Sequence, residues 1–174
     1  MSDSLVSSKT ARLGYGALTL IVISTSIFLT ILTIAINAAI YVVQEHEFDV
    51  ARFLSLFQIN VSLLRIIVEY GIVAPIVETV IIFLIFIFAE KIISNKSYMA
   101  VIYIISIGIL SYFWHGGSVY NISQSIIFMC FGAMILILKD KMANSKILSS
   151  VFATHALVNI ELYFGVQLTA LMIR

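Results

Sequence analysis

Between residues 13 and 43 the chain carries no charged side chain at all. A helix needs about 20 predominantly apolar residues to cross the hydrocarbon core of a bilayer. This stretch exceeds that length and has room to tilt or to project beyond the membrane. Residues 71–89, 99–115, 122–138 and 147–173 form four more apolar stretches that meet or approach the same length. Composition leaves little alternative: 61% of the 174 residues are hydrophobic and only 11% are charged, whereas soluble domains carry about a quarter charged residues. So few charges cannot cover a water-facing surface. The expected fold is all-α, a polytopic transmembrane helix bundle of about five spans, forming one integral membrane domain over residues 1–174.

The polar residues before the first span are followed by an apolar run too long for a signal-peptide core, with no small-residue cleavage site, so a retained anchor is expected. A net charge of +1 supplies no basic field for nucleic acid. Cys130 is the single cysteine, which excludes an intramolecular disulfide and the multi-cysteine metal sites. Residues 50–70 differ from the five spans, because Arg52, Gln58, Asn60, Arg65 and Glu69 interrupt their apolar residues at roughly helical intervals. That pattern predicts one interfacial or half-buried helix. With five spans, Lys9, Arg12, Lys91, Lys96, Lys139, Lys141 and Lys146 fall on one side, and Arg52, Arg65 and Arg174 on the other. The positive-inside rule then places the N-terminus in the cytoplasm. A sixth span at residues 50–70 would put the lysine-rich loops on opposite faces. The chain shows no internal repeat and no low-complexity tract.

Function should sit where polarity is costly. An ionisable side chain at the centre of a span costs about 2.5–3.5 kcal/mol on insertion scales. Glu78 lies inside the second stretch, His115 closes the third, and His155 lies inside the fifth with Asn159 four residues on. A spacing of four places His155 and Asn159 on one helix face, one turn apart. Glu161, six residues from His155, turns away from that face and is expected to make a separate polar contact. Pro75 removes a backbone donor one turn before Glu78, freeing a carbonyl and bending the helix. Polar groups in bundles often do no more than hydrogen-bond neighbouring helices. Here, however, a carboxylate, two imidazoles and a carboxamide recur on three spans, each about one helical hairpin from the next, and a shared polar centre accounts for all of them. A glutamate beside a histidine can deprotonate water, and a second histidine with an amide can stabilise an oxyanion. Catalysis and a structural or transport site both remain open on these residues alone.

At these positions the sequence resembles the CAAX-protease and bacteriocin-processing family (CPBP, or Abi), glutamate-type intramembrane endopeptidases that include the Ras-converting enzyme. That family carries Pro-x-x-Glu-Glu-x-x-x-Arg, then Phe-x-x-x-His, then His-x-x-x-Asn. Pro75 and Glu78 match the start of the first motif, His115 the histidine of the second, and His155 with Asn159 the third, so the likeness covers residues 71–159. Thr79 stands in place of the second glutamate, Phe83 in place of the arginine and Ser111 in place of the phenylalanine. Losing both members of an acid–base pair together avoids stranding one buried charge. The resemblance implies that Glu78 and His115 activate water and that His155 and Asn159 stabilise the oxyanion. It further implies a membrane-anchored protein or peptide substrate, C-terminal sorting-signal or peptide-export processing, and a bacterial inner membrane location. No cofactor is required. Zinc held by Glu78, His115 and His155 is chemically conceivable but is not the favoured reading.

Zinc-protease, aspartyl and rhomboid signatures are absent from the sequence, and Gly116-Gly117 reads as a sharp helix exit. Two other classes compete with the endopeptidase. One is a non-enzymatic immunity or scaffold protein with the same fold, favoured by Thr79 and Phe83. The other is a proton-coupled transporter, which the missing inverted repeat argues against.

Overall fold

The structure, a computed structural model, describes residues 14–47, 49–55 and 62–172, with the side chains of Leu63 and of residues 166–172 excepted. Lys9, Arg12, Gln58, Asn60 and Arg174, which entered the sequence reading, lie outside the described residues. In chain order the elements are α1 (Tyr15–Glu45), α2 (Val50–Ser55), the single turn α3 (Leu63–Arg65), a π-helix (Ile66–Val73), α4 (Ala74–Ile92), α5 (Lys96–Trp114), α6 (Asn121–Leu138) and α7 (Asn144–Met172). Among the described residues five helices are long and apolar enough to cross a bilayer: Tyr15–Glu45, Ile66–Ile92, Lys96–Trp114, Asn121–Leu138 and Asn144–Gly165. The chain is therefore an all-helical integral membrane protein. Its outer surface carries bare apolar side chains such as Phe28, Leu84, Phe88, Val101 and Phe113, while Leu29, Ile82, Phe86, Tyr103, Ile107, Phe131 and Val151 form the core.

The expected helix over residues 50–70 is divided. Its first part is α2, and its last part belongs to the second span, which starts at Ile66 rather than at residue 71. The apolar run Ile66-Ile67-Val68 extends the span outward as far as the ion pair between Arg65 Nε and Glu69 Oε2 (2.8 Å), both exposed and one turn apart. Pro75 does not end this span. It occupies the first turn of α4, where a missing N–H is tolerated, and the preceding turns widen into the π-helix, with the Ala74 N–H bonded to the Glu69 carbonyl five residues back.

Between helices, where lipid offers no hydrophobic drive, contact rests on close packing and polar links. A methyl group at Gly132 of α6 would overlap Ile107 Cδ1 of α5, so a side chain there would have to displace the Ile107 side chain that packs against this glycine. A stripe of hydroxyls and one amide along α1 docks it on the bundle. Ser26 Oγ and Thr30 Oγ1 each donate to one oxygen of Glu161 (3.1 and 2.7 Å), and Asn37 Nδ2 donates to Ser123 Oγ (3.0 Å). Glu161 thus makes the separate contact that its spacing from His155 predicts.

The helix directions gather Lys91, Lys96, Lys139, Lys141 and Lys146 at one end of the bundle. Lys139 pairs with Glu90 (3.1 Å), and Lys146 lies over the Tyr15 ring (4.6 Å), which brings the start of α1 to the same end. The pairs Arg52–Glu45 and Arg65–Glu69 mark the other end.

Candidate functional site: a carboxylate between two imidazoles

Glu78 sits in the first turn and a half of α4, 13 residues before Lys91, or about 20 Å of helix from the lysine-rich end. His155 projects from α7 with its side chain 3% exposed, and its Nε2 lies 3.1 Å from Glu78 Oε2. His115 approaches the second oxygen, with Nε2 4.0 Å from Oε1. That separation is too long for a direct hydrogen bond. The carboxylate is therefore flanked by two rings from different helices, and its own side chain is only 11% exposed.

Each ring is held by its neighbours. Phe128 of α6 is wedged between them, edge-on to His115 (centroids 5.6 Å, 73°) and to His155 (5.4 Å, 79°), while Phe131 lies against His155 at 4.6 Å. The second ring nitrogen of His155, Nδ1, faces the hydroxyl of Thr79 at 3.5 Å, and Thr79 is fully buried. Thr79 follows Glu78 directly, so two adjacent residues of α4 address the two nitrogens of one imidazole. His115 is fixed through its backbone. It caps α5, its N–H donates to the Ser111 carbonyl (3.0 Å), and its carbonyl accepts from Asn121 Nδ2 (2.6 Å). The helix stops there because Gly116 and Gly117 take φ values of +104° and +70°, a left-handed path that side-chain-bearing residues avoid. This is the sharp exit expected of the glycine pair. His115 Nε2 is buried and has no hydrogen-bond partner among the described residues, and the same holds for Ser111 Oγ.

A cavity of about 20 Å³ adjoins the carboxylate, lined by Glu78, Ile82, Ile107, Ser111, Trp114 and Phe128 among others. It has the size of roughly one water-sized sphere. Among the described residues no group of three or more histidine, cysteine, aspartate or glutamate side chains is arranged to hold a metal ion.

Three of the four residues singled out from the sequence, Glu78, His115 and His155, thus meet at one point. Asn159 is on the same face of α7 but engages elsewhere, its Nδ2 donating to the Tyr70 carbonyl at 2.8 Å. Thr79, Phe128 and Asn121 escaped the sequence reading as members of the site. Thr79 was legible only as a departure from a motif, and nothing in the sequence of α6 marks Phe128 or Asn121.

Compared with known proteins, the chain matches no family model, no curated protein and no solved structure.

Proposed function

We propose that the chain is an intramembrane endopeptidase that hydrolyses a peptide bond of a membrane-anchored protein or peptide, as its resemblance to the CAAX-protease and bacteriocin-processing family implies. The observation that carries this is the Glu78 carboxylate held 3.1 Å from one imidazole and 4.0 Å from another, inside a membrane span. A bundle that needed only polar links between helices would satisfy a carboxylate with hydroxyls, as it does for Glu161.

In the proposed reaction Glu78 takes a proton from water, the water oxygen attacks the scissile carbonyl carbon, and the proton then passes to the leaving nitrogen as the C–N bond breaks. His115, whose Nε2 accepts and donates no hydrogen bond among the described residues, is the imidazole available to hydrogen-bond the attacking water or the oxyanion. His155 has Glu78 on one nitrogen and Thr79 on the other, which suits it to holding the carboxylate in place and to supporting its charge. The scheme draws on no cofactor. By the positive-inside rule the lysine-rich end and the N-terminus face the cytoplasm, the membrane being a bacterial inner membrane as the family resemblance implies, so the site is reached from mid-membrane or from the opposite leaflet.

The test is processing of a co-expressed membrane-anchored peptide, with protein abundance matched by immunoblot. Glu78→Gln preserves shape but removes the base and should cut processing by about 10²–10⁴-fold. Full processing by that variant would leave a non-enzymatic immunity or scaffold protein as the better description.

A further inference from the structure

The π-helix and Pro75 together leave one backbone carbonyl without a helical donor, and Asn159 supplies the missing hydrogen. In an α-helix the Tyr70 carbonyl would accept from the Ala74 N–H, but that N–H is bonded to Glu69. In a π-helix it would accept from residue 75, which is proline and has no N–H. A carbonyl stranded at membrane depth is costly. Asn159 Nδ2 reaches it at 2.8 Å from α7, and the Tyr70 ring packs on Tyr163 of the same helix, centroids 4.9 Å apart.

The geometry points to Asn159 as a positioning residue, whose amide stands in for the N–H that Pro75 lacks and so locks the broken second span, and with it Glu78, against α7. Two contacts four residues apart on α7, His155 to Glu78 and Asn159 to Tyr70, hold points eight residues apart on the second span. A single contact would leave that span free to rotate or slide. Two at different heights fix its rotation and its depth, and Pro75 makes the outer one necessary. This differs from the oxyanion role that the family resemblance implies for Asn159. The effect on hydrolysis rests on the endopeptidase proposed above, whereas the helix lock does not.

A double-mutant cycle on the full-length protein tests the lock, using Asn159→Leu, which removes the donor at similar volume, and Pro75→Ala, which restores the backbone N–H. Two quantities are read: the denaturant midpoint of helix loss in mild detergent, and processing of the co-expressed membrane peptide. Asn159→Leu should lower the midpoint and slow processing about tenfold, the worth of one hydrogen bond to a buried carbonyl. In the Pro75→Ala background the same change should shift the midpoint little and slow processing by less than about twofold, because the carbonyl then has its own donor. Rescue of processing by a proline substitution is not expected of an amide that touches substrate. An equal cost of Asn159→Leu in both backgrounds, or no cost in either, overturns the inference. If Glu78→Gln processes fully, the endopeptidase falls, and the midpoints alone still decide whether Asn159 and Pro75 are coupled.

Discussion

Thr79→Val removes a hydroxyl and keeps the side-chain shape, at a residue whose only sequence signal is that it replaces a carboxylate of the family motif. On that signal alone the hydroxyl has no acid–base work to do, and its loss should matter little. The geometry assigns it a task. In a neutral His155 ring whose Nε2 donates to Glu78 Oε2 at 3.1 Å, Nδ1 is left as the acceptor, and the Thr79 hydroxyl, 3.5 Å away, is the donor that faces it. Valine would leave Nδ1 unsatisfied in a ring only 3% exposed. A buried group stranded in this way costs about 1–3 kcal/mol. Because 3.5 Å is at the long end for a hydrogen bond, the lower value applies, about 1 kcal/mol, or roughly fivefold in the ratio of the correctly oriented tautomer to the other. If the chain is the endopeptidase proposed above, processing should therefore fall by up to about fivefold, far less than the loss expected for Glu78→Gln. Thr79→Ser, which keeps the hydroxyl, should stay within about twofold of the native chain. Nitrogen-15 NMR of histidine-labelled protein should show the Nε2-protonated form of His155 in the native chain and a mixture in Thr79→Val. Wild-type processing with an unchanged tautomer in Thr79→Val would refute this assignment, and so would equal impairment of the serine and valine variants.

Two further outcomes are expected. Reporter fusions after Lys96 and after Lys141 should report the same side of the membrane, because the helix directions bring both to one end of the bundle; opposite sides would mean that α5 or α6 does not span. Gly132→Val should destabilise the bundle by about 1–3 kcal/mol through overpacking against Ile107, seen as a lower denaturant midpoint in detergent, whereas Gly16→Val, where an added Cβ would meet nothing within 4 Å among the described residues, should change the midpoint far less.

The spans were legible because the bilayer imposes length and apolarity and nothing else. The exception was the start of the second span. Its first turns carry Glu69 and follow directly on Arg65, and these charges assign the turns to a separate interfacial helix when read in isolation. The structure keeps the span going by widening the helix, with the Glu69 carboxylate paired to Arg65 at the exposed end. Glu78, His115 and His155 were legible for a related reason, since an ionisable group in or at the end of a span needs a partner, and these three lie on three different spans. What was hidden were partners with no cost of their own in lipid. Phe128, wedged between the imidazoles, is indistinguishable by sequence from any lipid-facing phenylalanine, and Thr79 from the threonine of any transmembrane helix. The Tyr70 carbonyl belongs to the backbone and carries no residue signal at all.

The irregular backbone of the second span and the turn that follows α5 both serve the same centre. Backbone freed from its helical partners at membrane depth survives only where protein covers it, and α7 covers the π-helix while Asn121 of α6 closes the turn after α5. The π-helix ends at Val73, five residues before Glu78, and the left-handed glycines begin at the residue after His115. Had the second span run as an unbroken α-helix, the Tyr70 carbonyl would bond within its own helix and give α7 no outer hold. Had α5 continued past Trp114, the His115 carbonyl would be committed to the next turn and would be lost to Asn121. The helix breaks thus free two carbonyls, and side-chain amides from the neighbouring helices α7 and α6 take them up, tying down the segments that carry Glu78 and His115. His155 needs no such device, because it sits within an unbroken helix and is held through its ring by Glu78, Thr79 and two phenylalanines.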